Sequence, residues 1–262
     1  LMDKAARAFN LDPIDIRRRN LIDKFPYKSA MGLEYDEATY KETLEMAVKA
    51  IDVPAFRRRQ AEARAKGRHL GIGFATFSER TGYGSPAFAA RGMEITPGWE
   101  TVIITVDPSG FVEARIGSSP HGQGLRTTLA QIIADEIGID PEFIKVVHGD
   151  TDRSPYGWGT FASRSLVLSG GASLLAAQKI RTKLLKMASH FLEAAPEDIT
   201  LQSGSAHVIG TDRSVTIASM ARAAYHQTHI FKGEIEPGLT ETGTTQNSEN
   251  FDGSDEPPNA YN

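Results

Sequence analysis

The sequence contains no cysteine, and this absence excludes several kinds of chemistry. Without thiols the chain can form neither a disulfide framework nor a thiolate metal site, and it cannot ligate an iron–sulfur cluster. It also lacks any run approaching the roughly 18 apolar residues that a membrane span requires. The net charge of −4 gives no electrostatic reason to expect a nucleic acid or an anionic membrane as partner. What remains is the composition of an ordinary globular protein, and we expect a cytoplasmic location.

Common nucleotide and metal signatures are also missing from the sequence. There is no Walker pattern, and Gly71-Ile72-Gly73 stands without the rest of a dinucleotide fingerprint. Asp150-Thr151-Asp152 presents the alternating carboxylates that hard cations bind, but EF-hand spacing does not follow, so a turn is favoured. His121 and His148 have no histidine at metal-ligand spacing, which favours a structural role for both. We therefore predict no direct metal ligand in this chain.

Two regions of different pattern divide the 262 residues. Residues 1–66 are typical of helices, whereas residues 67–262 mix strands with crossover helices. We predict an α+β fold in which a helical segment precedes an α+β segment. Leu1 already lies inside a helical pattern, and the polar composition of residues 252–259 predicts a loop. We expect the chain to be an internal segment of a longer protein.

The hydrophobic periodicity predicts the individual elements. Helices are expected near residues 5–11, 13–22, 37–51, 54–66, 124–138, 165–194 and 215–226. Strands are expected at residues 70–77, 101–106, 111–116 and 143–148, as a pair near 199–209, and near 228–234. Asp12 before Pro13 is typical of a helix N-cap followed by a proline at the first helical position. Pro108-Ser109-Gly110 between two strand patterns predicts a hairpin.

The first glycine-rich motif is Gly122-Gln123-Gly124, placed where a strand ends and a helix begins. A helix N-terminus offers unpaired N–H groups and a partial positive charge, which favour an anion, and glycine lets a ligand reach the backbone. Gln123 adds an amide that can donate and accept, and Thr127 adds a hydroxyl one turn later. We interpret Gly122, Gln123, Gly124 and Thr127 as cofactor-binding candidates. A plain glycine-containing turn into a helix is the alternative.

The second motif follows Gly157 and Gly159 and again precedes a helix. It consists of Thr160, Phe161, Ala162, Ser163, Arg164 and Ser165. Successive N–H groups in such a turn form an anion nest, which serine and threonine hydroxyls supplement. Arg164 could neutralise a phosphate, or it could point away into a salt bridge. We interpret these residues as the second set of cofactor-binding candidates, with a well-capped helix start as the alternative.

These motifs, in this order, resemble the molybdenum hydroxylases, the family of xanthine dehydrogenase, aldehyde oxidase and the large subunit of aerobic carbon monoxide dehydrogenase. Gly122-Gln123-Gly124 with Thr127 resembles the family's GQGxxT, and Gly149-Asp150-Thr151, Gly159-Thr160 and Ser163-Arg164-Ser165 resemble its G-[DN]-T…GT…SRS. Upstream, Arg17-Arg18-Arg19-Asn20-Leu21 resembles R-R-x-N-L, and Gly71-Ile72-Gly73 with Glu79 and Gly82 resembles GIG…E…G. The resemblance covers nearly the whole chain.

The resemblance implies an α+β molybdenum-cofactor-binding domain. Its cofactor is a pyranopterin carrying molybdenum (molybdopterin), usually as the cytosine dinucleotide in bacteria. Gln123 would lie near the molybdenum, and residues 160–165 would wrap the pterin and phosphates. The enzyme would hydroxylate a small substrate, such as carbon monoxide, an aldehyde or an N-heterocycle, with oxygen from water. Electrons would leave through FAD and [2Fe-2S] clusters on partner subunits or domains.

The family's general base is a glutamate in a G-x-G-E loop, which this sequence lacks. The resemblance therefore implies no catalytic residue in this chain. The preceding half of the family's cofactor domain is also absent, so we expect the chain alone to be inactive and to need the remaining part of the molybdenum subunit. The two turns by themselves are also compatible with a non-catalytic phosphate- or nucleotide-binding module, or with a cofactor-free structural segment.

Overall fold

The computed structural model describes residues 1–30, 34–79, 81–89 and 92–246. Contacts divide the chain into two compact units, Leu1–Ser78 and Glu79–Asn262. The domain boundary predicted after residue 66 lies earlier in the chain and stays a prediction. The combination of helices and mixed sheets confirms the α+β fold class. Within the described ranges, no helix has both the length and the apolar character needed to cross a membrane.

The first unit consists mainly of helices. Its elements are α1 (Met2–Ala8), α2 (Pro13–Asn20), the short strands β1 (Tyr27–Lys28) and β2 (Glu34–Tyr35), α3 (Tyr40–Ile51) and α4 (Val53–Ala65). Asp12 caps α2 as predicted, because its carboxylate accepts a hydrogen bond from the Ile14 N–H at 2.7 Å. Ile14, Leu44 and Val53 form a small buried apolar cluster.

The strand predicted at residues 70–77 is wrong, since those residues have no regular secondary structure. Side chains, rather than a neighbouring strand, satisfy carbonyls of this segment. The Gln60 amide donates to the Leu70 carbonyl at 2.7 Å, and the Arg17 guanidinium donates to the Phe74 carbonyl at 2.6 Å. A composition typical of a strand cannot form one without a strand to pair with.

The second unit contains the main sheet. Its helices are α5 (Ser85–Ala89), α6 (Leu125–Ile137), α7 (Gly171–Leu192) and α8 (Ile217–His226). Its strands are β3 (Trp99–Val106), β4 (Val112–Ile116), β5 (Ile144–Val147), β6 (Ile199–Gln202), β7 (Ser205–Val208), β8 (Ser214–Thr216) and β9 (Thr240–Gln246). Among the described residues, the main sheet has the order β5-β4-β3-β9 and a smaller sheet has the order β6-β7-β8.

The hairpin predicted around Pro108-Ser109-Gly110 is confirmed. β3 pairs antiparallel with β4, with Val102 opposite Ile116 and Val106 opposite Val112. Alternate residues of β3 are buried, and they share one apolar core with α6 and α7. The predicted apolar stripe of α6 is also confirmed, with Ile132 only partly buried and these residues fully inside: Leu125, Leu129, Ile133 and Ile137.

The strand predicted near residues 228–234 is wrong. Thr228–Phe231 is instead a 3-10 helix, whose last residue is buried in the core. Beyond it, the Glu234 N–H donates to the Phe231 carbonyl at 2.9 Å. These local hydrogen bonds occupy backbone groups that a strand would present to a neighbour.

Candidate functional site

A parallel strand pair brings the two glycine-rich motifs to one edge of the main sheet. β4 and β5 are parallel neighbours, with Val112 opposite Ile144 and Arg115 opposite Val147. Parallel strands end at the same sheet edge, so the connections that follow them leave from the same place. We call residues 117–124, after β4, the first segment, and residues 157–165, in the connection after β5, the second segment.

The first segment needs its glycines for backbone conformation. Gly122 and Gly124 have φ values of +107° and +80°, in the region that L side chains avoid. A Cβ atom at either position would meet no other atom within 4 Å, so space is open around this turn. Gln123 folds back, and its Oε1 accepts a hydrogen bond from the His121 N–H at 2.8 Å. In the described part of the chain, nothing accepts a hydrogen bond from its Nε2 amino group, which is left free to donate.

A run of backbone donors begins in the first segment and continues into α6. Within the described residues, the N–H groups of residues 122–127 have no protein acceptor, and Thr128 is the first to bond back, to the Gly124 carbonyl at 3.1 Å. The Thr127 side chain is exposed beside this run. Unpaired N–H groups at a helix start concentrate positive potential, so this run can bind an anionic or carbonyl-rich ligand.

The second segment packs directly against the first. The Thr160 hydroxyl donates to the Ser119 carbonyl at 2.6 Å and accepts from the Ser165 hydroxyl at 2.9 Å. Gly117 and Gly157 let the backbones touch, since a Cβ on Gly157 would lie 2.7 Å from the Gly117 Cα. The structure therefore brings the two sequence motifs together.

Strained backbone shapes the second segment. Ala162 and Ser163 both have positive φ, at +48° and +49°. Each such non-glycine residue costs of order 1 kcal/mol or more and persists only where its surroundings enforce it. Among the described residues, nothing accepts a hydrogen bond from the N–H groups of residues 159–163. The Ser163 hydroxyl donates to the Glu79 carboxylate. The strained turn thus presents a second run of free donors.

Arg164 points into the protein. Its guanidinium forms a salt bridge to Glu100 at 2.7 Å, and both side chains have no solvent exposure. The sequence left two roles open for Arg164, neutralising a phosphate or forming a salt bridge, and in the structure it forms the salt bridge. The guanidinium also lies 4.9 Å from the ring centre of Phe161. Arg164 therefore lies beneath the turn and does not face the open side of the site.

Burial opposes ionisation of both members of this pair. Loss of water raises the pKa of Glu100, against the opposing attraction of Arg164, and lowers the pKa of Arg164, against the opposing attraction of Glu100. In the described structure, Glu100 Oε2 and Arg164 Nε have no hydrogen-bond partner. Such a pair is weak evidence of stabilisation, because desolvation offsets much of the attraction.

Several residues of the site were not identified from the sequence. Glu100 is one of them, although the alternation of β3 places it on the buried face of the strand and could have identified it. Two others are Ser118 and Ser169, whose buried hydroxyls lie 2.6 Å apart. Ser169 belongs to a π-helix, Ser165–Gly170, that precedes α7 where a continuous α-helix was predicted. π-Helical turns are frequent at functional sites.

The described part of the chain has no metal-ligand cluster, and two of its concave regions lie away from the two segments. It contains no cluster of three or more potential metal-ligating side chains. Asp150 forms the favoured turn, in which its carboxylate accepts from the Asp152 N–H at 3.0 Å. Two concave regions of about 280 and 400 Å³ include no residue of either segment. Residues 121–124 are exposed and residues 159–162 are partly exposed, so the two donor runs form an open ledge.

Comparison with known proteins identifies the family of the chain. Residues 46–262 match the model of the molybdopterin cofactor-binding domain. Over 240 residues the chain is 40% identical to the nicotine 6-hydroxylase large subunit of Paenarthrobacter nicotinovorans, covering 91% of this chain and 29% of that protein. It is also 40% identical to the carbon monoxide dehydrogenase large chain of Hydrogenophaga pseudoflava, covering 91% of this chain and 30% of that one.

Solved structures give the same result for the fold. The crystal structure of quinoline 2-oxidoreductase from Pseudomonas putida 86 superposes with a TM-score of 0.74 at 36% identity, covering 95% of this chain and 32% of that one. The chain thus spans about a third or less of the relatives it matches. Nothing found supports a non-catalytic nucleotide-binding module. The match over residues 46–262 confirms the resemblance inferred from the motifs: the chain belongs to the molybdopterin cofactor-binding domain family of the molybdenum hydroxylases.

Proposed function

We propose that the two segments hold a molybdopterin cofactor in the large subunit of a molybdenum-dependent hydroxylase or dehydrogenase. The observation that supports this best is the pair of free donor runs, residues 122–127 and 159–163, on segments joined by the Thr160–Ser119 hydrogen bond. Phosphates and a pterin edge are rich in acceptors, and backbone N–H groups are suited to them.

The residues present fit such a group. The absence of atoms around Gly122, Gly124 and Gly159 leaves room for a ligand to reach the backbone. Gln123 keeps a free amino group, and Thr127 an exposed hydroxyl. In this proposal Gln123 lies near the metal ligands, residues 160–163 and Ser165 enclose the pterin and phosphates, and Arg164 supports them from inside.

When bound, the cofactor supplies the redox chemistry by which a substrate carbon gains an oxygen atom from water. The residues of this chain bind and orient it, and they donate hydrogen bonds at Gln123 Nε2 and the backbone. No catalytic residue is assigned here. The general base is proposed to lie in the remaining part of the subunit.

The finer assignments belong to the same proposal. The cofactor is proposed to be the cytosine dinucleotide form, and FAD and [2Fe-2S] clusters to reside on partner subunits or domains. The relatives named as acting on nicotine, quinoline and carbon monoxide support a small substrate, either an N-heterocycle, an aldehyde or carbon monoxide. The cytoplasmic location stays a prediction.

The test is a molybdenum and pterin analysis of the complete complex. We expect the purified wild-type complex to contain molybdenum and to release a pterin and cytosine nucleotide on denaturation. Gly124→Val, which forces a β-branched residue to φ +80°, should lower the molybdenum content. Gly210→Val is the matched control, because Gly210 has φ +76°, has equally open surroundings and lies in the β7–β8 turn. A complex without molybdenum or pterin, or equal content in all three proteins, would overturn the proposal.

A further inference from the structure

We propose that the buried Glu100–Arg164 pair is a positioning device that holds the N–H groups of residues 159–163 in their ligand-binding arrangement. The inference rests on the proposed function, since it assigns these N–H groups to the cofactor. Glu100 is not in either sequence motif. It approaches the site from β3, beneath the turn.

Arg164 ties the turn to the start of β3. Its guanidinium donates to the Trp99 carbonyl at 2.8 Å and to the Pro97 carbonyl at 3.2 Å. It also donates to the Gly159 carbonyl at 3.3 Å. One planar side chain therefore holds the start of the strained turn against a sheet strand. A rigid fork of donors suits this task, because it fixes several acceptors in one plane at once.

Glu100 acts on both segments. Its Oε1 accepts a hydrogen bond from the Trp158 N–H at 3.3 Å, just before the turn. Its Oε2 lies in the seam between the segments, 2.9 Å from a Cβ built on Gly117 and 2.6 Å from one built on Gly157. The carboxylate thus fills the contact between the two glycines while it holds the guanidinium.

The turn needs such support because it is strained. Ala162 and Ser163 adopt left-handed backbone conformations, which relax unless neighbouring contacts prevent it. Relaxation would rotate the peptide planes and redirect their N–H groups. The end of the turn is closed locally, where the Arg164 N–H donates to the Phe161 carbonyl at 3.2 Å. The guanidinium stacks over the Phe161 ring, so backbone and side chain hold the same four residues.

A hydrophobic pair could fill this volume but could not hold the carbonyls. Buried ion pairs can often be replaced without loss of stability, so the role we assign to this pair is to fix the geometry of the turn above it. The pair should therefore affect how the cofactor is held more than whether the subunit folds.

The test uses the complete complex with Arg164→Lys and Glu100→Gln. Lysine keeps the charge but loses the fork, and glutamine keeps the shape but loses the charge. In each variant we expect the folded subunit to lose molybdenum about tenfold faster on dilution, the effect of roughly 1.4 kcal/mol in binding. The Mo(V) electron paramagnetic resonance spectrum should also change, and hydrogen exchange of residues 159–163 should accelerate. Arg181→Lys is the matched control, since Arg181 also contacts a carbonyl and a carboxylate, both from Glu136, but lies on α7.

The outcomes separate the two proposals. Wild-type cofactor release, spectrum and exchange in the folded variants would overturn the positioning role. Failure of both variants to fold would make the pair a requirement of the fold and would overturn it as well. If the wild-type complex holds no cofactor, the proposed function fails, and hydrogen exchange of the Trp158 and Arg164 N–H groups, which are hydrogen-bonded within the protein, then decides whether the pair shapes the turn.

Discussion

The hydroxyl of Thr160 donates a hydrogen bond to the backbone carbonyl of Ser119 at 2.6 Å, across 41 positions of sequence. This bond joins two segments that follow parallel neighbours in the main sheet. The topology of the sheet therefore brings the two segments of the candidate site together, and the Thr160 hydroxyl links them. Its geometry depends on contacts between the segments as much as on either motif.

Replacing Thr160 with valine should loosen this junction. The change keeps the shape but removes a donor to Ser119 and an acceptor from Ser165. We expect a loss of about 1–2 kcal/mol in unfolding free energy and a lower molybdenum content. Thr182→Val is the control, because the exposed Thr182 hydroxyl donates to the Gln178 carbonyl within α7 and contacts neither segment. Urea unfolding and metal analysis measure the two effects, and equal results for both variants would contradict the assignment.

Replacing Gly157 with alanine should force the segments apart. The new methyl group would lie 2.6 Å from Glu100 Oε2 and 2.7 Å from the Gly117 Cα, and the backbone contact cannot yield without moving a segment. We expect destabilisation of about 1–3 kcal/mol, as for overpacked cores. At Gly73 an added Cβ meets nothing within 4 Å, so Gly73→Ala should stay near wild type in the same unfolding measurement. Similar stabilities for the two variants would refute the close approach.

Much of the fold could be predicted because its signals are local. Hydrophobic periodicity predicts the apolar stripe of α6, and turn-forming residues predict the hairpin turn at residues 108–110. The structure contains both features. β9 was missed because its Thr-rich sequence is largely exposed at a sheet edge and has no clear apolar alternation. The strand predicted at residues 70–77 failed for the opposite reason, since its composition suited a strand that lacks a partner.

The two glycine-rich turns of the candidate site could be predicted from the sequence, but the buried residues beneath them could not. The sequence marks helix starts and glycines, so the two turns could be located. The Glu100–Arg164 pair depends on tertiary contact, although Glu100 shares the buried parity of Val102 and Ile104 on β3. A buried carboxylate on an otherwise apolar strand face requires a hydrogen-bonding or cationic partner. The sequence therefore predicts that Glu100 has a buried partner, but it does not identify Arg164 as that partner.

The β3–β4 turn should make stability depend on pH. Hydrogen bonding from the Ser109 hydroxyl, with backbone N–H donors of the turn, holds the pKa of Asp107 below its ordinary value of 3.8. A lowered pKa in the folded state means stability that is present above pH 3.8 and is lost as the pH falls through the folded-state pKa. Asp107→Ala should therefore lose about 1 kcal/mol at neutral pH.

This difference should shrink as the pH falls below 3.8. Asp212 makes no hydrogen bond among the described residues through its carboxylate, so Asp212→Ala should differ from wild type by less than about 0.5 kcal/mol. Urea unfolding between neutral and acidic pH measures both variants. A gap for Asp107→Ala that is the same at every pH would contradict the role of the carboxylate.

Replacing Gln123 with alanine should reduce turnover of the complete enzyme more than it reduces stability. The side chain is exposed, its Oε1 bonds only to the local His121 N–H, and its Nε2 is free to donate to the bound cofactor. Loss of one such donor typically lowers the rate by on the order of 10²-fold. Gln131→Ala, an exposed glutamine on α6, is the control. Turnover per bound molybdenum is the measurement, and unchanged kinetics would make Gln123 a structural residue.

The 262-residue chain on its own should show no hydroxylase activity and bind the cofactor weakly or not at all. Residues 121–124 are exposed and residues 159–162 are partly exposed. Donors on an open ledge compete with water, so each hydrogen bond to a ligand gains little. Binding sites for ligands of this size normally bury most of the ligand surface. The missing surface is expected from the remaining part of the subunit, because the chain spans about 30% of its relatives.

Molybdenum binding by the isolated chain, compared with the complete complex by equilibrium dialysis, measures the difference. Equal affinity, or hydroxylation of an aldehyde or N-heterocycle by the isolated chain, would show that these two segments are sufficient.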